Sequence, residues 1–174
     1  MKDVLGIILK ERDYGESSKI LDLFTKEYGI IGVISKGSKK VKSTLSGVST
    51  KITYGTFHIY YKDGKLSTLT SVDIINPFVN IKKDILNISY ATYLSELTLQ
   101  VAKQTSAVSE IFDLLISALV KINDGYDPLV ITNILELKYL NYLGVSPILD
   151  KCGSCGKVDN ILTLSPYKNG LICN

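Results

Sequence analysis

Short apolar runs separated by turn-forming residues fill the first half of the chain. The runs cover residues 4–10, 20–24, 30–34, 52–61 and 66–74, and each has the length and the Ile- and Leu-rich character of a strand. The last two runs are joined by Lys-Asp-Gly-Lys, in which Asp-Gly is a strong hairpin signal. Five short strands in one segment predict a small closed barrel, and an OB-type barrel has this number of strands.

In the second half of the chain, apolar residues recur at the spacing of a helix. Residues 84–103 and 108–122 each carry a single apolar stripe. A third helix is predicted to begin at Pro128, with Asp127 as its N-cap, and to end at Gly144. The second half is therefore expected to be helical.

These patterns predict an α+β protein whose strands and helices occupy separate regions. We expect a five-stranded OB-type β-barrel over residues 1–78, an all-α domain over residues 79–149, and a partial zinc knuckle over residues 150–174. The composition is that of a globular protein, with 45% hydrophobic and 21% charged residues. No apolar run approaches the ~18 residues of a membrane span, and the first residues lack a signal-peptide layout. The sequence therefore predicts a cytoplasmic protein with no membrane partner.

Positive charge is concentrated in the first half of the chain. The net charge is +3 overall, whereas residues 1–80 alone carry +4. Six lysines and no acidic residue lie between Glu27 and Asp63. A basic face of this kind indicates a polyanionic partner.

The basic segment after the third predicted strand reads Ser-Lys-Gly-Ser-Lys-Lys-Val-Lys-Ser over residues 35–43. Flexible lysines in such a loop can neutralise phosphates, and the absence of nearby acids favours nucleic acid as the partner. The alternative is a solvated loop that only keeps the protein soluble. The candidate phosphate contacts are Lys36, Lys39, Lys40 and Lys42, with Arg12 and Lys51 as weaker candidates.

Aromatic residues are frequent in the fourth predicted strand. Alternation places Phe57 and Tyr61 on one face, and Tyr54, His58 and Tyr60 on the other. If the first face fills the barrel, Tyr54 and Tyr60 are exposed near the lysines and can stack on unpaired bases. Alternatively, the tyrosines are there because they favour strands. The chain has one histidine and no nucleophile motif near it, so the sequence does not predict an enzyme.

All three cysteines lie close to the C-terminus, as Cys152-Gly-Ser-Cys155 and Cys173. Cys-x-x-Cys with a downstream cysteine is typical of a thiolate zinc site, and a structural zinc ion requires four ligands. A fourth cysteine at the usual spacing would fall beyond Asn174, so we expect a chain that stops inside its zinc motif. A redox dithiol is the alternative interpretation of Cys152 and Cys155.

Several segments together resemble the RecO family of bacterial recombination and repair mediators, over essentially the whole chain. They are ILKERDYGESS at residues 8–18, KGSKK at residues 36–40, YATYLSEL at residues 90–97 and LELKYLNYLG at residues 135–144. The resemblance implies an OB barrel, a helical domain and a zinc motif of four cysteines, of which Cys152, Cys155 and Cys173 are present. It also implies binding of single- and double-stranded DNA, strand annealing, and assisted loading of RecA. The partners that it implies are RecR and single-strand-binding protein.

Two other functions remain open at this point. The protein could be an interaction adaptor whose helices and zinc knuckle dock partners, with incidental DNA binding. It could also be a metalloenzyme or redox protein acting through Cys152 and Cys155. Retention on single-stranded DNA favours the mediator over the adaptor, and an inert thiolate shell argues against the third function.

Overall fold

Five strands form a closed barrel in the N-terminal half of the computed structural model, which describes residues 1–173. The strands neighbour one another in the order β1-β2-β3-β5-β4, and β4 pairs with β1 to close the barrel. All pairs are antiparallel except β3 with β5, which is parallel and consists of Val33 with Ser67 and Ile34 with Thr68. We call this short pairing the β3–β5 seam. The strands are β1 (Lys2–Tyr14), β2 (Ser18–Thr25), β3 (Gly29–Ser35), β4 (Tyr54–Tyr60) and β5 (Ser67–Asn76).

Four helices follow the barrel, so the predicted fold class is confirmed. They are α1 (Val79–Lys83), α2 (Ile85–Val101), α3 (Val108–Asn123) and α4 (Pro128–Tyr142). The carboxylate of Asp84 caps α2 by accepting the Asn87 N–H at 2.8 Å. Asp127 accepts the Leu129 N–H at 2.8 Å, as its predicted capping role requires. The sequence did not predict α1, because five residues are too few to show a helical period.

The barrel has a buried interior and an outer face that is partly covered by helices. Its interior cluster consists of Val4, Ile8, Leu21, Leu23, Val33, Phe57, Ile59 and Leu69. Phe24 lies outside this cluster and is nevertheless fully buried, since its ring meets Phe112 of α3 edge-on at 5.4 Å between centroids. Lys26 and Asp113 add an ion pair at 2.8 Å. Helix packing on the outer face explains why β1 and β2 read as continuous apolar runs rather than as alternating ones.

Residues 1–132 form one compact unit that includes the barrel and α1 to α3, and a second unit begins at Asn133. In the second unit, β6 (Ile161–Ser165) and β7 (Gly170–Cys173) form an antiparallel hairpin. A parallel bridge joins Ile148 to Gly170. The hairpin was not predicted, because its strands are only four and five residues long. Within the described residues, no helix is both long enough and apolar enough to cross a membrane.

Candidate functional site

The loop from residue 36 to residue 53, here called the lysine loop, joins β3 to β4 and is anchored at its start. The buried Ser38 donates its hydroxyl to the Ser35 carbonyl at 3.0 Å. The Lys39 N–H donates to the Ser17 carbonyl at 2.9 Å, and the Gly37 N–H donates to Ser18 Oγ at 3.2 Å. These bonds hold the start of the lysine loop against the β1–β2 turn. The loop therefore projects its lysines from a fixed base.

The predicted phosphate contacts in this loop differ in whether the lysine already contacts a carboxylate. Lys36, Lys40 and Lys42 are exposed, and no described carboxylate lies within ion-pair distance of them. Lys39 instead contacts Asp13 at 2.6 Å between Nζ and Oδ2. This hydrogen bond from Lys39 lowers the pKa of the Asp13 carboxyl below its ordinary value. A phosphate would have to displace Asp13 to bind Lys39, whereas the other three ammonium groups are immediately available.

The two weaker candidates lie at the edges of this region. Arg12 is exposed near the end of β1, with Nη1 3.6 Å from Asp22 Oδ1. Its neighbour Asp13 contacts Lys39, but in a strand consecutive side chains point to opposite faces, so Arg12 faces Asp22 rather than Lys39. Lys51 is half-buried at the far end of the loop.

The alternation predicted for β4 is present, but only one of its two candidate tyrosines is exposed as expected. Tyr60 is 55% exposed. Tyr54 is half-buried, with its ring stacked on Phe78 at 6.2 Å and tilted towards Phe112 at 6.3 Å. This burial raises the pKa of the Tyr54 hydroxyl. Helices cover Tyr54 on the outer face of the barrel, which the alternation pattern could not reveal.

His58 joins two acidic residues across three strands. Its Nδ1 lies 2.7 Å from Asp3 Oδ1 on β1, and its Nε2 lies 2.9 Å from Asp73 Oδ2 on β5. Hydrogen bonds to Asp73 and then Asp3 raise the pKa of the imidazole, because they stabilise its charged form. Both ring nitrogens are occupied by these bonds. These contacts connect β1, β4 and β5, and we call Asp3, His58 and Asp73 the clasp.

The three cysteines come together in the second unit, and their sulfur atoms all lie within 4.8 Å of one another. A tight turn brings Cys152 and Cys155 together, with the Gly156 N–H donating to the Cys152 carbonyl at 2.8 Å. Strand β7 supplies Cys173, and the Gly153 N–H ties the turn to this strand through the Leu171 carbonyl at 2.7 Å. Backbone pairing thus places three potential thiolate ligands around one point. These cysteines could bind a metal ion.

The pKa values of Cys152 and Cys173 are shifted in opposite directions, because backbone amides point at the sulfur of Cys152. The N–H groups of Cys173, Cys155 and Ser154 lower the pKa of Cys152 to about 6. Hydrogen bonds with the thiols of Cys155 and Cys152 raise the pKa of Cys173 to about 11. Cys152 therefore loses its proton more readily than Cys173.

The geometry suits a soft divalent ion. Thiolates around a tetrahedral zinc ion lie about 3.8 Å apart, given a Zn–S distance of about 2.3 Å. Cys155 Sγ and Cys173 Sγ are 3.4 Å apart, and the Ser154 and Cys173 N–H groups lie 3.4 Å from Cys152 Sγ. Amides that point at the sulfur orient a thiolate and stabilise its charge. The three residues present therefore fit three of the four positions of a structural zinc site.

Tyr28, Tyr61 and Lys2 form a further cluster that sequence reasoning missed. Lys2 Nζ lies 4.5 Å from the Tyr28 ring centroid and 4.4 Å from that of Tyr61. Tyr28 reads as part of a turn in the sequence, and Tyr61 reads as an interior residue. Only the closed barrel brings them together, so no local pattern could have revealed the cluster.

Comparison with known proteins gives matches along the whole chain. The model of the family described as "Recombination protein O N terminal" matches residues 1–78. The model described as "Recombination protein O C terminal" matches residues 82–174.

Individual curated proteins give the same result. The chain is 37% identical to DNA repair protein RecO of Listeria monocytogenes serotype 4b over 174 residues, covering 100% of this chain and 68% of the relative. It is 38% identical to DNA repair protein RecO of Bacillus pumilus over 168 residues, covering 97% of this chain and 65% of the relative. The chain thus spans about two thirds of the length of these relatives.

Proposed function

Because this chain belongs to the recombination protein O family of DNA repair proteins, we propose that it is a DNA-binding mediator of recombinational repair. It binds single- and double-stranded DNA and anneals complementary strands. The observation that carries this proposal is the lysine loop, whose Lys36, Lys40 and Lys42 are exposed and have no ion-pair partner among the carboxylates of residues 1–173.

Annealing in this proposal requires charge neutralisation rather than a catalytic side chain. Two phosphate backbones repel each other, and ammonium groups that replace their counterions reduce this repulsion. The lysine loop supplies these groups on a base fixed by Ser38 and by the Lys39 amide. Arg12 extends the basic surface along β1, and Tyr60 offers an exposed ring. Tyr54 contributes to helix packing and is left out of the proposed DNA surface.

Family membership supports the further partners in this proposal. These are RecR, single-strand-binding protein and RecA, which the mediator helps to load onto DNA. We propose the cytoplasm as its location, which agrees with this role.

Zinc is the metal that we propose for Cys152, Cys155 and Cys173. The ion would join the 152–155 turn to β7, and three thiolates leave one position for a further ligand. Zinc in such a site stabilises the fold and takes no part in a reaction. The thiolate role proposed for Cys152 agrees with the amides that point at its sulfur.

The test is the salt dependence of DNA binding by a variant in which Lys36, Lys40 and Lys42 are replaced by Ala. Loss of three phosphate contacts lowers the slope of log K against log salt by about 2 on single strands and nearly 3 on duplex. The matched control replaces Lys83, Lys103 and Lys138, which are also exposed and remove the same charge. An equal change in slope for both variants, or none for the loop variant, would contradict the proposal. Unchanged DNA binding by the loop variant would favour the interaction adaptor.

A further inference from the structure

An open groove of about 490 Å³ lies beside the β3–β5 seam, on a part of the barrel that the proposed function leaves unused. Strand β3 pairs with β5 only at Val33 and Ile34, so its first residues have a free edge on this side. The β4–β5 turn forms the opposite wall. The groove is lined by Tyr28, Ile30, Ile31, Gly32, Tyr61, Lys62, Asp63, Gly64, Lys65 and Leu66.

Two tyrosine rings are held in fixed positions at this groove. Their centroids are 4.9 Å apart, with 31° between the ring planes. Lys2 lies over both rings and donates to Tyr28 Oη at 3.0 Å, and Tyr61 Oη donates to Asp63 Oδ1 at 3.2 Å. The side chain of Tyr28 nevertheless remains 38% exposed. The rings are therefore ordered before any ligand arrives, which reduces the entropy lost on binding.

The charges around this groove are nearly balanced. Lys62, Asp63 and Lys65 line it, and Lys2 lies over its rings with Glu27 close enough to act on Lys2, so three lysines and two acidic residues leave a local net charge of +1. The groove is consequently poorly suited to neutralising a phosphate backbone. A fixed pair of aromatic rings, with Tyr28 exposed and Tyr61 half-buried, and with a few lysines at the rim, is instead suited to flat unpaired bases, which stack on such rings.

We propose that this groove, the tyrosine groove, binds unpaired bases of single-stranded DNA as a second contact, separate from the lysine loop. The inference deepens the proposed function and depends on it. The lysine loop begins after the last residue of β3, and the tyrosine groove lies beside the first residues of β3. The two sites are therefore about 20 Å apart along this strand. The lysine loop holds phosphates of any DNA, whereas the tyrosine groove accepts only bases that are not paired.

The first test compares affinities for an oligothymidine strand and for an abasic strand of the same length. The unmodified protein should prefer oligothymidine by about 5-fold or more for each stacked base. Replacing both tyrosines, Tyr28→Leu and Tyr61→Leu, should abolish this preference and leave duplex binding and the salt slope unchanged. Phe at both positions keeps the rings and should keep the preference. The matched control is Tyr126→Leu, since Tyr126 is 61% exposed on the helical side and should have no effect.

The second test uses the unmodified protein, so it does not depend on how the variants fold. A single strand carrying 5-iododeoxyuridine is irradiated on the protein, and the cross-linked residues are identified by mass spectrometry. Cross-links to Tyr28 or Tyr61 are expected. Cross-links only to other residues, or a base preference that is unchanged in the Leu variant, would show that the tyrosine groove does not bind bases. Either result would leave a peptide as the alternative occupant of the groove. Failure of the proposed function is a different result, because it requires an unchanged salt slope in the lysine-loop variant.

Discussion

Phe112→Ala tests whether α3 and the barrel share one core. The Phe112 side chain is 1% exposed, and its ring meets Phe24 of β2 at 5.4 Å and Tyr54 of β4 at 6.3 Å. Removing a buried Phe ring costs about 3–5 kcal/mol, and each aromatic pair contributes about 0.5–1.5 kcal/mol beyond its buried area. We therefore expect a loss of about 4 kcal/mol, which is a large share of the ~5–15 kcal/mol that stabilises a typical domain.

The assay is urea unfolding followed by far-ultraviolet circular dichroism and by tyrosine fluorescence. With a typical slope of about 2 kcal/mol/M, the midpoint should fall by about 2 M. The control is the adjacent substitution Asp113→Asn, which breaks the exposed pair with Lys26 and should cost no more than about 1 kcal/mol. A loss below about 1 kcal/mol for Phe112→Ala would refute the shared core.

Three further predictions concern the clasp and the cysteine turn. Two acidic partners raise the folded-state pKa of His58, so its protonated side chain stabilises the fold relative to His58→Gln. This stabilisation should be full just below the ordinary pKa of 6.5 and should be lost as the pH rises through the folded-state pKa. A pKa at or below 6.5 for this histidine in a nuclear magnetic resonance titration would contradict the prediction. Gly170→Ala should weaken metal binding, because the new Cβ would lie 2.8 Å from the Ile148 backbone nitrogen and disturb the Ile148–Gly170 bridge. The control Gly47→Ala meets no atom within 4 Å and should leave metal binding unchanged. Equal metal affinity in the two variants would argue that this bridge does not support the cysteine site. Cobalt added to the metal-free protein should give thiolate charge-transfer absorption that Cys152→Ser strongly weakens, and a spectrum unaffected by that change would exclude Cys152 as a ligand.

Much of the fold could be predicted from the sequence, because its patterns are local. Five apolar runs and the Asp-Gly turn gave the barrel strands, and Asp127-Pro128 gave the start of α4. The far end of β1 was missed, since polar residues up to Tyr14 pair with β2 without contributing apolar alternation. Helix α1 and the β6–β7 hairpin are too short for a period to show.

Some candidate sites could likewise be predicted from local sequence, whereas others exist only in the folded chain. The lysine loop and the cysteine motif are continuous or nearly continuous in sequence, so composition and spacing suffice to find them. The exposure of Tyr54 could not be predicted, because Phe78 and Phe112 cover it from later in the chain. The contact of Lys2 with Tyr28 likewise spans 26 residues and exists only in the closed barrel.

The β3–β5 seam is the part of the barrel wall that can open locally. Two paired positions, Val33 with Ser67 and Ile34 with Thr68, require far less free energy to separate than the long antiparallel ladders elsewhere in the barrel. Amide protons at this seam should therefore exchange with solvent through local opening, well before those of β1 and β2. Such opening would widen the tyrosine groove while the rest of the barrel stays folded, so a bulky purine could enter without global unfolding.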